Sequence, residues 1–164
     1  MSVVRYCTPE WLQASEESYR SNPILRQTLA KISVKICFNI KAEPTWGIDQ
    51  DIIFGAFITQ GDLERLAFFS EEDAREEVEF ILAATPQEWK ELLRKESKFV
   101  TDFLLGRVTL EQGSKVGILG IAHRADALID ALTPVPLQFP DEMSAEELAN
   151  FRSYVDEFRR ELGV

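Results

Sequence analysis

The sequence is poor in the side chains that most often carry chemistry. It has one histidine, His123, and two cysteines, Cys7 and Cys37, in 164 residues. One imidazole and two widely separated thiols cannot supply the three or more clustered ligands that zinc or iron requires, so no metal is expected. The two cysteines form no spaced disulfide framework, which points to a reducing compartment with Cys37 as a small buried hydrophobe. Positive charge is also scarce: 18 Lys and Arg stand against 28 Asp and Glu, a formal charge of −10. That sign repels phosphate backbones and anionic surfaces, so nucleic acid is not an expected partner. No stretch approaches the ~20 consecutive apolar residues of a membrane-spanning helix. The opening MSVVRYCTPEW lacks a cationic flank leading into an apolar segment. Neither export nor stable membrane insertion is expected, and a cytoplasmic location is.

What is present reads as one domain. A chain of this length can bury roughly two thirds of its unfolded surface, enough to fold without staples. Thr8, Pro9 and Glu10 signal a first helix, and Asn22-Pro23 interrupts it before a second segment, Ile24 to Ile32. Alternation over Ser33 to Ile40, then the runs Ile52 to Thr59 and Leu63 to Phe69 joined through Gln60-Gly61-Asp62, reads as consecutive strands. Glu77 to Ala84 reads as a fourth strand, preceded by a short helix or loop over Glu71 to Glu77. Thr85-Pro86-Gln87-Glu88 opens a helix that carries Trp89 through Leu104 and ends at Gly106. Arg107 to Glu111 alternates as a last strand, and Ser114 to Leu132 has helical spacing throughout. The stretch TPVPLQFP, Thr133 to Pro140, separates this body from a helix opened by Ser144-Ala145-Glu146-Glu147. The order predicts an α+β layer rich in antiparallel pairing.

Candidate reactive groups are few. His123 beside Arg124 and Asp126 has no nucleophile motif near it, and a surface or capping role is the expectation. Asp49 and Asp51 are the one pair that could do carboxylate chemistry, although a D-x-D in a polar turn is ordinary loop composition. GSKVGILG, Gly113 to Gly120, fails both the phosphate-loop and the dinucleotide patterns. Glycines inside a helix cost about 1 kcal/mol each against alanine, so Gly117 and Gly120, set with Ala122 and Ala125 among Val116, Ile118, Leu119 and Ile121, predict either close approach of the helix to the sheet or small residues that leave room for a ligand.

A capped helix with tryptophan, TPQEWKELL, a spacer ending FLLG, then RVTLEQG and a further helix together resemble the sterol carrier protein-2 family. The likeness runs from about Trp11 to Leu132 and rests on element order and weak motifs. It implies a five-stranded, largely antiparallel sheet covered by helices around an apolar tunnel. The implied function is non-catalytic binding or carrying of a lipid or other apolar small molecule (a sterol, fatty acid or fatty acyl derivative), with no cofactor. By position, Trp89, Phe99, Phe103 and Leu104 would form one helical wall, Ile118, Ile121 and Leu128 a second near the mouth, and Phe38, Phe57 and Phe80 the floor. Residues 1–135 would be the lipid-binding domain, and residues 136–164 a proline-containing linker and amphipathic helix packed on it. Three roles are open for that helix: plugging the tunnel, packing outside it, or forming a homodimer. The ending ELGV is not the Ser-Lys-Leu of a peroxisomal address. The alternative is an interaction or accessory domain that docks a partner through its apolar surface and last helix.

Overall fold

In the computed structural model, which describes residues 3–164, the N-terminal third runs from a two-residue strand β1 (Val4–Arg5) into α1 (Pro9–Arg20) and α2 (Pro23–Thr28). Thr8 caps α1 by accepting from the Trp11 amide, and the Asn22 side chain accepts from both Ile24 and Leu25, so the chain restarts its helix where Pro23 interrupts it. Next come β2 (Val34–Ile40), a 3₁₀ turn at Pro44–Trp46, β3 (Ile52–Thr59) and β4 (Asp62–Phe69). Both Gln60 and Gly61 have positive φ, +47° and +82°, as a two-residue hairpin between twisted strands requires. Ser70 caps α3 (Glu71–Glu77), which confirms the helical alternative for that segment and shortens the following strand to β5 (Phe80–Ala84).

The single helix expected from Thr85 to Gly106 is two. A capping box between Thr85 and Glu88 starts α4 (Pro86–Leu93), the chain turns through Lys95 at φ +57°, and α5 (Phe99–Leu104) begins anew. Residues 94–98 contain no apolar side chain to hold a helix against the core. Buried Asp102 instead fixes a turn, accepting from Ser97 Oγ at 2.8 Å and Arg107 at 3.3 Å, with its carbonyl accepting from the Arg107 and Val108 amides. After β6 (Thr109–Gln112), the helix expected over Ser114 to Leu132 is also divided, into α6 (Lys115–Ile121), a 3₁₀ turn at Ala122–Arg124 and α7 (Ala125–Leu132). Its halves answer to different partners: α6 sits over β5 and α7 packs beside α1. The proline stretch contributes a strand that its composition concealed, β7 (Leu137–Gln138), parallel to β1. A 3₁₀ turn at Pro140–Glu142 leads to α8 (Ala145–Leu162), opened by the Ser144–Glu147 capping box.

The main sheet has the order β4-β3-β2-β5-β6, antiparallel except for the β2–β5 pair. Register puts Phe38 opposite Phe54 and beside Leu82, with Ile36 beside Phe80. These residues share the large buried cluster with Trp11, Trp89 and Ile118 from the helices. The alternate residues Cys37, Ile53, Phe69 and Ile81 form a smaller cluster on the other face with Ala74 and Val78, from α3 and its end. The α8 helix buries Phe151, Val155 and Phe158, Phe158 meeting Phe68 at 5.1 Å between ring centres. Arg159 clamps the helix to the chain before β3, donating to the Gln50 and Asp51 carbonyls at 3.0 and 2.8 Å.

Candidate ligand-binding cavity

The large-cluster face of the sheet does not close completely against its helices. A cavity of about 80 Å³ lies between them. The sheet gives it Ile36, Phe38, Phe54 and Leu82, and the N-terminal region gives Tyr6 and Trp11. Trp89, Leu92 and Leu93 come from α4 and Phe99 from α5, while Ile118, Ile121, Ala122, Ala125, Leu128, Ile129 and Leu132 come from the divided helix. The indole nitrogens of this wall are hydrogen-bonded elsewhere. Trp11 donates to the Leu132 carbonyl at 2.7 Å and Trp89 to the Asn39 carbonyl at 3.0 Å, so each presents apolar surface inward. Burial, reinforced by the neighbouring Cys7 thiol, raises the Tyr6 phenol well above its ordinary range, and it stays protonated.

A second chamber of about 30 Å³ adjoins the first toward α1 and β4, lined by Ser15, Tyr19, Ala56, Ile58, Leu63, Leu66 and Ala131. Phe38, Phe54, Leu128 and Leu132 border both chambers. Among the described residues no charged one lines either space.

Of the ten residues proposed from the sequence, the fold brings Phe38, Trp89, Phe99, Ile118, Ile121 and Leu128 to the cavity wall. Four are placed elsewhere. Phe57 is on the opposite face, stacked on Phe69 at 5.6 Å under the Arg65 guanidinium, because it stands an odd number of positions from Phe54 along β3. Phe80 has the correct face but lies beneath α6, so close that a Cβ on Gly113 or Gly117 would come within 2.5 or 2.8 Å of its ring. Phe103 is half-buried and stacks on Phe99 at 5.7 Å without reaching the space. Leu104 is 69 % exposed, since α5 is one short turn-and-a-half whose inner side is already taken by Phe99 and Asp102. Ala122 and Ala125, two of the small residues expected to leave room for a ligand, line the space; Tyr6, Trp11 and Phe54 are the aromatic wall residues that were missed. Period-two parity from Phe38 through the hairpin register would have found Phe54, but nothing local marks the others.

The helix glycines resolve differently from each other. Gly117 is the close approach to Phe80, whereas nothing lies within 4 Å of a Cβ on exposed Gly120. Neither makes room for a ligand; Ala122 and Ala125 do. The carboxylate pair does not form a joint site. Asp49 meets Arg152 at 3.4 Å, Asp51 accepts from Lys41 at 3.3 Å and from the Ala42 amide at 2.8 Å, and neither reaches the cavity. His123 is exposed in the 3₁₀ turn. Among the described residues no helix is long and apolar enough to cross a membrane.

No family profile matches the sequence, and no curated protein matches it. Solved structures do. A conserved hypothetical protein of Thermus thermophilus, described as possibly a sterol carrier protein, superposes with a TM-score of 0.71 at 17 % identity, over 84 % of this chain and 94 % of its own. A crystal structure of sterol carrier protein 2 gives 0.68 at 16 % identity, over 78 % and 97 %. The apo form of sterol carrier protein 2 from Yarrowia lipolytica gives 0.52 at 8 % identity, over 77 % and 89 %. These identities establish architecture and nothing finer: the chain has the α+β fold of sterol carrier protein 2, with a five-stranded sheet and a C-terminal helix.

Proposed function

We propose that the protein holds an apolar small molecule of the lipid class in this cavity and carries it without transforming it. The observation that carries the reading is a cavity walled by aromatic and aliphatic side chains, with both lining indole N–H groups bonded away from it and no charged side chain among the described residues at its surface. Filling it would remove hydrocarbon from water at ~25 cal/mol per Å², with no polar group left unpaired. The three structural relatives include proteins named for carrying sterols, which supports the same class of cargo here.

At about 80 Å³ the space is well below the several hundred typical of ligand pockets, so cargo of sterol or long-acyl size enters by displacing wall elements. The wall with slack is the divided helix. Its 3₁₀ turn at Ala122–Arg124 is a ready bend, and the outward Val116 and Leu119 leave α6 uncovered from outside.

Native mass spectrometry of freshly purified protein, followed by organic extraction, tests the reading. A stoichiometric lipid supports it. An empty protein that also binds no added apolar probe overturns it and favours docking of a partner. For that alternative α8 offers little, because Phe151, Val155 and Phe158 are buried against its own body and, of its large apolar side chains, only Leu162 at its end is exposed; other exposed large apolar side chains, among them Ile24, Leu104, Leu105 and Val116, are scattered over α2, α5 with its C-terminal end, and α6.

A further inference from the structure

The second chamber contains one polar anomaly. Ser15 is 1 % exposed, and its hydroxyl makes no hydrogen bond. A serine inside a helix ordinarily returns its hydroxyl to the carbonyl one turn back, and Ser15 does not. The other side-chain polar groups on the two chambers are occupied: Trp11 and Trp89 on backbone carbonyls, Tyr19 on the Gly61 carbonyl at 2.6 Å, and Tyr6 with the Cys7 thiol. One free donor and acceptor therefore stands on the wall of the second, otherwise apolar chamber. A buried hydroxyl with no partner lowers the stability of the empty protein, and a partner supplied by a ligand recovers that loss.

We infer that Ser15 is the polar anchor of the cavity and that the cargo is a neutral amphiphile, an alcohol or another molecule with one uncharged oxygen, bound with its polar end in the second chamber and its apolar remainder in the first. The inference rests on the lipid-holding reading above and adds the class and direction of the ligand. Neutrality follows from the walls. With no charged residue on either chamber among the described residues, an ionised carboxylate brought to Ser15 would be buried with no countercharge, whereas a hydroxyl exchanges one hydrogen bond with Ser15 and needs nothing more. Phe38, Phe54, Leu128 and Leu132 line both chambers, so a ligand that spans them contacts these four side chains.

The test compares wild type and Ser15→Ala by tryptophan fluorescence, which Trp11 and Trp89 report from the cavity wall, in titrations with 1-decanol, decane and decanoate at pH 8. The expected result is a loss of about fivefold to tenfold in 1-decanol affinity on substitution, the size of one neutral hydrogen bond, with decane affinity unchanged. Wild type is expected to prefer 1-decanol over decanoate by at least about tenfold, given the missing countercharge. Ser15→Ala should also melt about 2 to 4 °C higher without ligand, because an unpaired hydroxyl has been removed. Equal 1-decanol affinity in the two proteins, with decane still bound, overturns the anchor and leaves the lipid-holding reading standing. Decanoate bound as tightly as 1-decanol overturns the neutral class, and a lower melting temperature in Ser15→Ala overturns the free hydroxyl. No response to any of the three probes overturns both this inference and the reading it rests on.

Discussion

Ile118→Ala probes whether the cavity is dry and able to take an apolar guest. Ile118 is 1 % exposed, stands on the cavity wall and belongs to α6, whose first turn is held by the Ser114 hydroxyl on the Gly117 amide at 3.0 Å. The substitution deletes three carbons, which at ~0.8 kcal/mol each removes about 2.4 kcal/mol of transfer free energy. Gly117 already rests against Phe80, so α6 cannot settle inward to close the gap, and the cavity term brings the total to about 3 to 4 kcal/mol. For a chain of this length the melting temperature should fall by roughly 6 to 15 °C. The new space joins the existing one, so cyclohexane should fill both. At a free concentration of 100 times its Kd the solute would return about 2.7 kcal/mol, most of the loss. Differential scanning fluorimetry with and without cyclohexane measures both quantities. A variant whose melting temperature the solute leaves unchanged would refute the reasoning, since the space would then be wet or collapsed.

Two substitutions in the same helix should have opposite signs in urea denaturation. Gly117→Ala places a Cβ 2.8 Å from the Phe80 ring and should cost about 1 to 2 kcal/mol, while Gly120→Ala meets nothing within 4 Å and should gain about 0.5 to 1 kcal/mol of helix propensity. A gain at both positions would mean that Phe80 yields freely. Stability should also weaken in acid. Partial burial pushes Glu111 and Glu142 up, but hydrogen bonds from Lys41 and Asn39 to the first, and from the Phe139 amide and Arg94 to the second, outweigh it and hold both below the ordinary 4.5. A depressed folded value contributes stability that is complete above the unfolded value and is lost as pH falls through the folded one. The urea midpoint should therefore be flat from pH 7 to about 5 and fall below 4.5, with the acid limb shallower in Glu111→Gln; an unchanged limb would count against the Lys41–Asn39 contacts.

Local signals placed the elements of this fold well wherever the pattern was itself local. Thr8, Thr85 and Ser144 each start a helix where their capping chemistry predicts. The alternation of Val34 to Ile40 is the central strand, and Gly61 is the hairpin. What escaped was long-range. Val4–Arg5 and Leu137–Gln138 are too short to carry a period, and they become strands only because the chain brings them together across more than a hundred residues. Likewise the parallel β2–β5 pair depends on a crossover through α3 that no strand pattern announces.

The cavity was less legible because the two helices that wall it are broken where their periodicity reads as continuous. An unbroken helix from Thr85 would set Phe103 within roughly 40° of Trp89 around its axis and Phe99 about 80° away, at 100° per residue. Phe103 would then line the site in preference to Phe99, and the structure has the reverse. The phase is reset by the turn at residues 94–98, where the buried Asp102 carboxylate accepts from Ser97 Oγ and from the Arg107 guanidinium. The same holds at Ala122–Arg124, where the second break lets Ile118 and Ile121 face the cavity from α6 while Ala125, Leu128 and Leu132 face it from α7 beside Trp11. Amphipathic spacing identifies which residues are apolar enough to enclose a ligand. Which of them actually do so is decided by the polar contacts that end one helix and begin the next.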